Sequence, residues 1–151
     1  MPYGIRFSED GKIAVFPAAF VSFKKKSGGR NNSIGTVMLI DSGATITSLP
    51  RGDAVALGYA LESGERTLVR GFGSELIGFR HTVRCAIEKM ELRIPVVFVD
   101  QPDVPRILGR AGVFEHFTII FEEAKRRTAF IKKNTAENRA ISALLDQPRV
   151  L

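Results

Sequence analysis

The apolar run Val37-Met38-Leu39-Ile40 ends directly on an acid, Asp41, and the chain then passes through the small residues Ser42-Gly43-Ala44-Thr45. Consecutive apolar residues of this kind read as a strand buried on both faces. A carboxylate delivered to the end of such a strand is costly unless hydrogen bonds or a partner hold it. Ser42 and Gly43 leave room for a second backbone to come close, and they offer it a hydroxyl and N–H groups. Asp-Ser-Gly by itself is ordinary turn chemistry, so the weight of this turn depends on what else the chain brings to it.

Two further elements bear on it. Downstream stands Val104-Pro105-Arg106-Ile107-Leu108-Gly109-Arg110, followed by Ala111 to Phe117 and the alternating strand Thr118-Ile119-Ile120-Phe121. Between the two lies Leu68 to Phe79, a glycine-punctuated pair of apolar runs that reads as a hairpin. In this order the elements resemble the retroviral-type (retropepsin-like) aspartic proteases, in a cellular, prokaryotic branch. That family carries Asp-Thr/Ser-Gly and a small residue, then a flap hairpin, then two apolar residues and a glycine that cross behind the catalytic loop. The resemblance covers residues 34 to 121.

The resemblance implies roles for particular residues. Asp41, Ser42 and Gly43 would be catalytic, with the Ser42 hydroxyl bonding across a dimer axis and Gly43 lending its backbone to the acid and to substrate. Ala44, Val69, Gly71, Phe72, Gly73, Ile77 and Ile107 would bind substrate, Gly71 and Gly73 permitting a hinge and Phe72 or Ile77 covering a side-chain pocket. Further apolar pocket candidates are Ile46 and Leu49. Leu108, Gly109 and Arg110 would give structural support, Arg110 as an ion pair bracing the loop. Thr45 and Thr47 stand where retroviral relatives place its acidic partner, so the brace must differ or be absent. Neither a cofactor nor a metal is implied.

The expected fold is all-β, a single-lobe acid-protease (retropepsin-like) closed barrel with a flap hairpin, one short helix and a C-terminal helix. Its strands are Ile5–Phe7, Lys12–Phe16, Ala18–Phe23, Gly35–Ile40, Ile46–Pro50, Thr67–Arg70, Leu76–Val83, Arg84–Glu88, Leu92–Val99 and Thr118–Phe121. Ser8-Glu9-Asp10-Gly11 reads as a hairpin turn and residues 24–32 as a long polar tip. Arg51–Leu57 reads as a helix stopped at Gly58. Thr135 to Asn138 reads as a second helix start, with Ile141, Leu144 and Leu145 on one helical face, packed on the chain's own body or crossing to a partner. The domain is taken as residues 1–133 and the helical tail as 134–151.

At 151 residues the chain fits one lobe, and Asp-Ser-Gly occurs once. Since the family supplies one aspartate per lobe, the resemblance implies a homodimer with Asp41 contributed twice, acting on a protein or peptide substrate. The competing reading is a noncatalytic dimerisation or peptide-binding module on the same fold. Asp53, Asp100 and Asp103 read as turn and cap residues, and His81 and His116 as structural, since neither accompanies a nucleophile or ligand cluster. The single cysteine, Cys85, falls in an apolar–polar alternation and reads as a buried thiol. The net charge of +6 is concentrated in Lys24 to Lys26, Lys125 to Arg127 and Lys132-Lys133. These are read as strand edges and hairpin tips, where lysine discourages pairing with strangers, and nucleic-acid binding is not expected. The longest apolar stretch is interrupted by Pro17, so no membrane span is expected, and with no secretory signal the expected location is cytoplasmic.

Overall fold

The structure, a computed structural model, describes residues 1–7, 12–27, 32–71 and 74–147. It is mostly strand: β1 (Gly4–Phe7), β2 (Ile13–Phe16), β3 (Ala18–Lys24), β4 (Ser33–Ile40), β5 (Thr47–Pro50), β6 (Glu65–Gly71), β7 (Ser74–Ile87), β8 (Met90–Val99), β9 (Ile107–Leu108), β10 (Phe117–Glu122) and β11 (Arg127–Lys132). Helix α1 (Arg51–Leu57) follows β5, and α2 (Ala136–Leu145) follows β11. The Ser8–Gly11 turn and most of the polar tip after Lys26 lie outside the described residues.

The central sheet has seven strands in the order β3-β4-β9-β5-β8-β7-β6, and an additional β3–β7 pairing closes it on itself. Closure runs through Ser22↔Ala86 and Phe23↔Cys85, and it leaves β6 outside the ring as a flank of β7 alone. Alternation along the ring sends Val21 and Phe23 of β3, Met38 and Ile40 of β4, Val83, Cys85 and Ile87 of β7 and Ile94, Val96 and Phe98 of β8 into one buried core. Leu49 and Leu108 belong to that core and are fully buried. The expected all-β architecture with two helices is therefore the observed one.

Leu76–Val83 and Arg84–Glu88, expected as separate strands, are one continuous strand of 14 residues. The ladder to β8 runs unbroken from Gly78↔Val99 to Ile87↔Met90, with the Arg84↔Arg93 pair on its exposed face. A charged residue on the solvent side of a half-buried strand does not interrupt it. The hairpin closes at Glu88 and Lys89, both with positive φ (46° and 64°), as a two-residue turn of right-handed strand twist requires.

Helix α1 occupies the expected span and stops at Gly58, whose φ of 79° is the left-handed cap conformation and whose N–H reaches the carbonyls of Ala54 and Val55. Helix α2 begins at Thr135, whose side chain accepts from the Asn138 N–H, and Asn138 Nδ2 donates to Thr118 Oγ1 on β10 (2.7 Å). Its apolar face is only partly used: Leu144 and Leu145 are 62% and 61% exposed. No helix among the described residues is long and apolar enough to cross a membrane.

Candidate active site

The acid turn is fastened to the strand that crosses behind it. β4 and β9 run parallel with Leu39↔Ile107 and Ile40↔Leu108 in register, and the Asp41 N–H continues the ladder by donating to the Leu108 carbonyl (3.1 Å). Past β9 the chain stays against the turn. Arg110 N–H donates to Ala44 O (3.0 Å), Ala111 N–H to Thr45 O (2.8 Å) and Gly109 N–H to the buried Thr47 hydroxyl (3.2 Å). A Cβ on Gly109 would lie 2.4 Å from the carbonyl carbon of Ile46, so the two backbones cross at a distance only glycine permits. Within the turn, Gly43 N–H donates to Asp41 Oδ1 (2.8 Å) and Ala44 N–H to Asp41 O (3.2 Å). The first orients the carboxylate and the second closes the turn.

Arg110 departs from expectation. Its guanidinium is exposed and makes no ion pair among the described residues, while its backbone N–H carries the contact to the turn. The physical reason is in the sequence around the turn: Thr45 and Thr47 carry no charge, and the Thr47 hydroxyl supplies the buried acceptor instead. An ion pair does exist one step upstream, where Arg106 donates two bonds to Asp53 (2.7 and 2.8 Å) and joins the approach to β9 to helix α1. Asp53, read as a cap, is thus an ion-pair residue.

Asp41 opens into a cleft of about 680 Å³. Gly43, Ala44 and Thr45 form its floor beside the acid, Ile46, Ser48, Val97, Val99 and Ile107 the sheet wall, and Val104-Pro105 one rim. The remaining wall is the β6–β7 hairpin. Val69↔Leu76, Thr67↔Gly78 and Glu65↔Arg80 are register partners, and partners share a face. Accordingly Thr67, Val69, Leu76 and Arg80 line the cleft, and Leu68 and Arg70 of β6 line it as well. Gly78 lies on the same face, where a Cβ would stand 2.5 Å from Val97 Cγ1, so its bareness lets the hairpin and the sheet wall meet.

Of the residues expected to bind substrate, Ala44, Val69 and Ile107 line this cleft together with Asp41, and so does Ile46. Ile77 does not: it is 40% exposed, whereas its register partner Leu68 and its neighbour Leu76 line the cleft. Leu49 is core rather than pocket, fully buried on β5. Gly71 closes the hairpin ladder opposite Ser74, and Phe72 and Gly73 between them lie outside the described residues. Ser42 is exposed, and no hydrogen bond to its hydroxyl forms among the described residues. Ser48, Thr67, Leu68, Arg70, Leu76, Arg80, Val97, Val99, Val104 and Pro105 were missed by sequence reasoning; for Leu76, Arg80, Val97 and Val99 only strand register, which alternation alone leaves ambiguous in all-apolar runs, would have found them.

No other catalytic constellation competes. The His81 ring packs edge-on to Tyr59 (5.2 Å between centroids) and Phe98 (5.5 Å), with Nε2 3.0 Å from the Leu61 carbonyl, on the face of β7 opposite the cleft. His116 is an exposed turn residue whose carbonyl accepts from the Lys133 N–H. Burial pushes the Cys85 thiol up to about 12, which keeps it protonated and unreactive. No cluster of His, Cys, Asp and Glu among the described residues has the makings of a metal site.

No protein-family model matches the chain, and no curated protein matches it. Among solved structures, the chain is similar to the EIAV protease complexed with the inhibitor HBY-793, with 21% sequence identity, 63% of this chain and 82% of that chain covered, and a TM-score of 0.46. At that level the likeness adds no weight of its own, and the description of the fold rests on the strand pairings of the chain itself.

Proposed function

We propose that the chain is an aspartic endopeptidase of retropepsin type, active as a homodimer in the cytoplasm, in which two Asp41 carboxylates activate water between them. The observation that carries this reading is the seating of Asp41: an acid at the mouth of a buried strand, held by the Gly43 N–H, backed by the Gly109 crossing and facing a hairpin across an apolar cleft. Such a cleft fits an extended peptide with apolar side chains, and the hairpin would serve as a flap over it.

Two carboxylates at contact distance in a poorly solvated site share one proton and titrate as a unit. The ionised one takes a proton from water as the oxygen adds to the scissile carbonyl carbon, while the protonated one donates to the carbonyl oxygen. Collapse of the tetrahedral species breaks the C–N bond, with a proton passing to the leaving amine, and no covalent intermediate with the protein forms. Because only the singly protonated pair works, the pH–rate profile is bell-shaped.

Asp41→Asn keeps the shape of the turn and removes the base. It should preserve fold and oligomeric state while peptide cleavage falls by at least about a thousandfold. Specific activity of the wild type should also rise with protein concentration and level off, as a site built from two chains requires. Full cleavage by purified Asp41→Asn would refute the assignment. The competing reading, a noncatalytic peptide-binding or dimerisation module, draws support from Arg110, which forms no ion pair among the described residues, so that backbone bonds and Thr47 brace the turn there. Binding of peptides without turnover would decide for it.

A further inference from the structure

A second pocket adjoins the cleft at the acid turn. Thr45 lines the cleft and also lines this second, more open pocket of about 370 Å³, whose other walls are Arg110, Ala111, Phe114, Glu115 and Lys133. This neighbour differs in charge from the main cleft. There the cations are matched, Arg70 by Glu75 (2.7 Å) and Arg80 by Glu65. In the second pocket Arg110 and Lys133 are both exposed, and neither forms an ion pair among the described residues, Glu115 included. Two cations against one carboxylate leave an excess of positive charge.

Both cations are carried on fixed backbone. The Arg110 N–H is bonded to Ala44 O (3.0 Å) and the Lys133 N–H to His116 O (3.0 Å). Half-buried Phe114 offers an aromatic wall for the methylenes of an entering side chain. Cations left unmatched beside an aromatic surface, next to a cleft whose own arginines are matched, suit an anionic group on whatever occupies the cleft.

We propose that this pocket is an outer subsite for a carboxylate side chain, so that the preferred peptides carry apolar residues at the cleft and a glutamate or aspartate farther along, on the Thr45 side. The proposal rests on the reading of the cleft as a peptide site, not on catalysis. An extended peptide advances by about 3.3 Å per residue, so the acidic position is fixed by the distance between the two pockets and should be a single one.

The test is a set of peptides in which one glutamate is walked outward from an apolar centre, each paired with its glutamine counterpart. Affinity is read by fluorescence anisotropy on the full-length Asp41→Asn protein, and kcat/KM is read on the wild type. At one position the glutamate peptide should bind about five- to tenfold more tightly than its glutamine control, a ratio that shrinks as salt rises toward 1 M. Lys133→Gln should reduce that ratio and Lys133→Glu should bring it to unity or below, with Arg110→Gln as the second, independent variant. Each ratio is internal to one protein, so a general loss of activity does not imitate the effect. Peptides that bind with this preference but are never cut would leave the subsite standing and remove the endopeptidase. A glutamate-to-glutamine ratio near one at every position, or no peptide binding at all, would overturn the subsite. So would variants that weaken self-association in sedimentation yet keep the ratio, since the pocket would then belong to a contact between chains.

Discussion

On one side of the cleft, the turn bearing Asp41 is bonded to residues 108–111 by a succession of backbone donors and packed against them without room for a Cβ at Gly109. On the other side, β6 pairs with β7 alone among the described residues. Its Leu68 is 52% exposed, and the ion pairs that decorate the hairpin, Arg70–Glu75 and Arg80–Glu65, are mostly in solvent. Exposed pairs of this kind contribute about 0–1 kcal/mol, so little beyond its own ladder stabilises the hairpin. The acid side is thus coupled to the barrel core, whereas the hairpin has less to hold it against local opening.

The contrast is sharpest at Gly109. Replacing it by alanine drives a Cβ into the Ile46 backbone, and the expected cost is about 3 kcal/mol or more, read as a fall in the urea midpoint and accompanied by loss of any activity that depends on Asp41. A Gly109→Ala protein as stable as wild type would mean that the crossing is loose and that the two walls do not differ as described. Hydrogen exchange should separate the walls directly. Amides of β5 and β9 should exchange only with global unfolding, and those of β6 at least about a hundredfold faster. Uniform protection across both would remove the contrast altogether.

Smaller effects refine it. Thr47→Val keeps volume and deletes the acceptor for the Gly109 N–H, which is then buried without a partner; about 1–3 kcal/mol should be lost in chemical denaturation. Arg70→Gln breaks an exposed hairpin pair, and unfolding free energy should change by less than about 1 kcal/mol. A larger loss there would show that the hairpin is held by more than its ladder.

The sequence disclosed these two walls unequally. Val37 to Asp41 and Ile107 to Gly109 are legible because apolar runs, an acid and a glycine each demand one environment, and those demands are mutually consistent. Helix α1 is legible from its Gly58 stop. The hairpin is harder. Leu76 and Ile77 are both apolar, so alternation does not say which faces inward; the answer lies in the Val69↔Leu76 register, a pairing set by the turn between the strands. For the same reason Arg80 escaped notice, since its place in the cleft follows from that register and from Gly78 beside it. Arg110 misled through its side chain, because the contact that matters there is made by its N–H. Leu144 and Leu145 do share a helical face, but an apolar stripe marks only what a helix is able to bury, not what is present to bury it.

β7 belongs to two structures at once. It pairs with β6 over Ser74–Arg80 and with β8 over Gly78–Ile87, and the two ladders overlap only at Gly78, Phe79 and Arg80. The last tie to that side is the Asp100 N–H, which donates to Ile77 O (2.9 Å), so Ser74 to Leu76 project past it like the free end of a beam clamped at one end. Residues added to both strands beyond that clamp, two per strand, would lengthen the overhang and keep each side chain on its present face, while every inter-strand pairing of the barrel stayed where it is. The reach of the cover is in this sense an adjustable dimension of the molecule, independent of the frame that carries the acid.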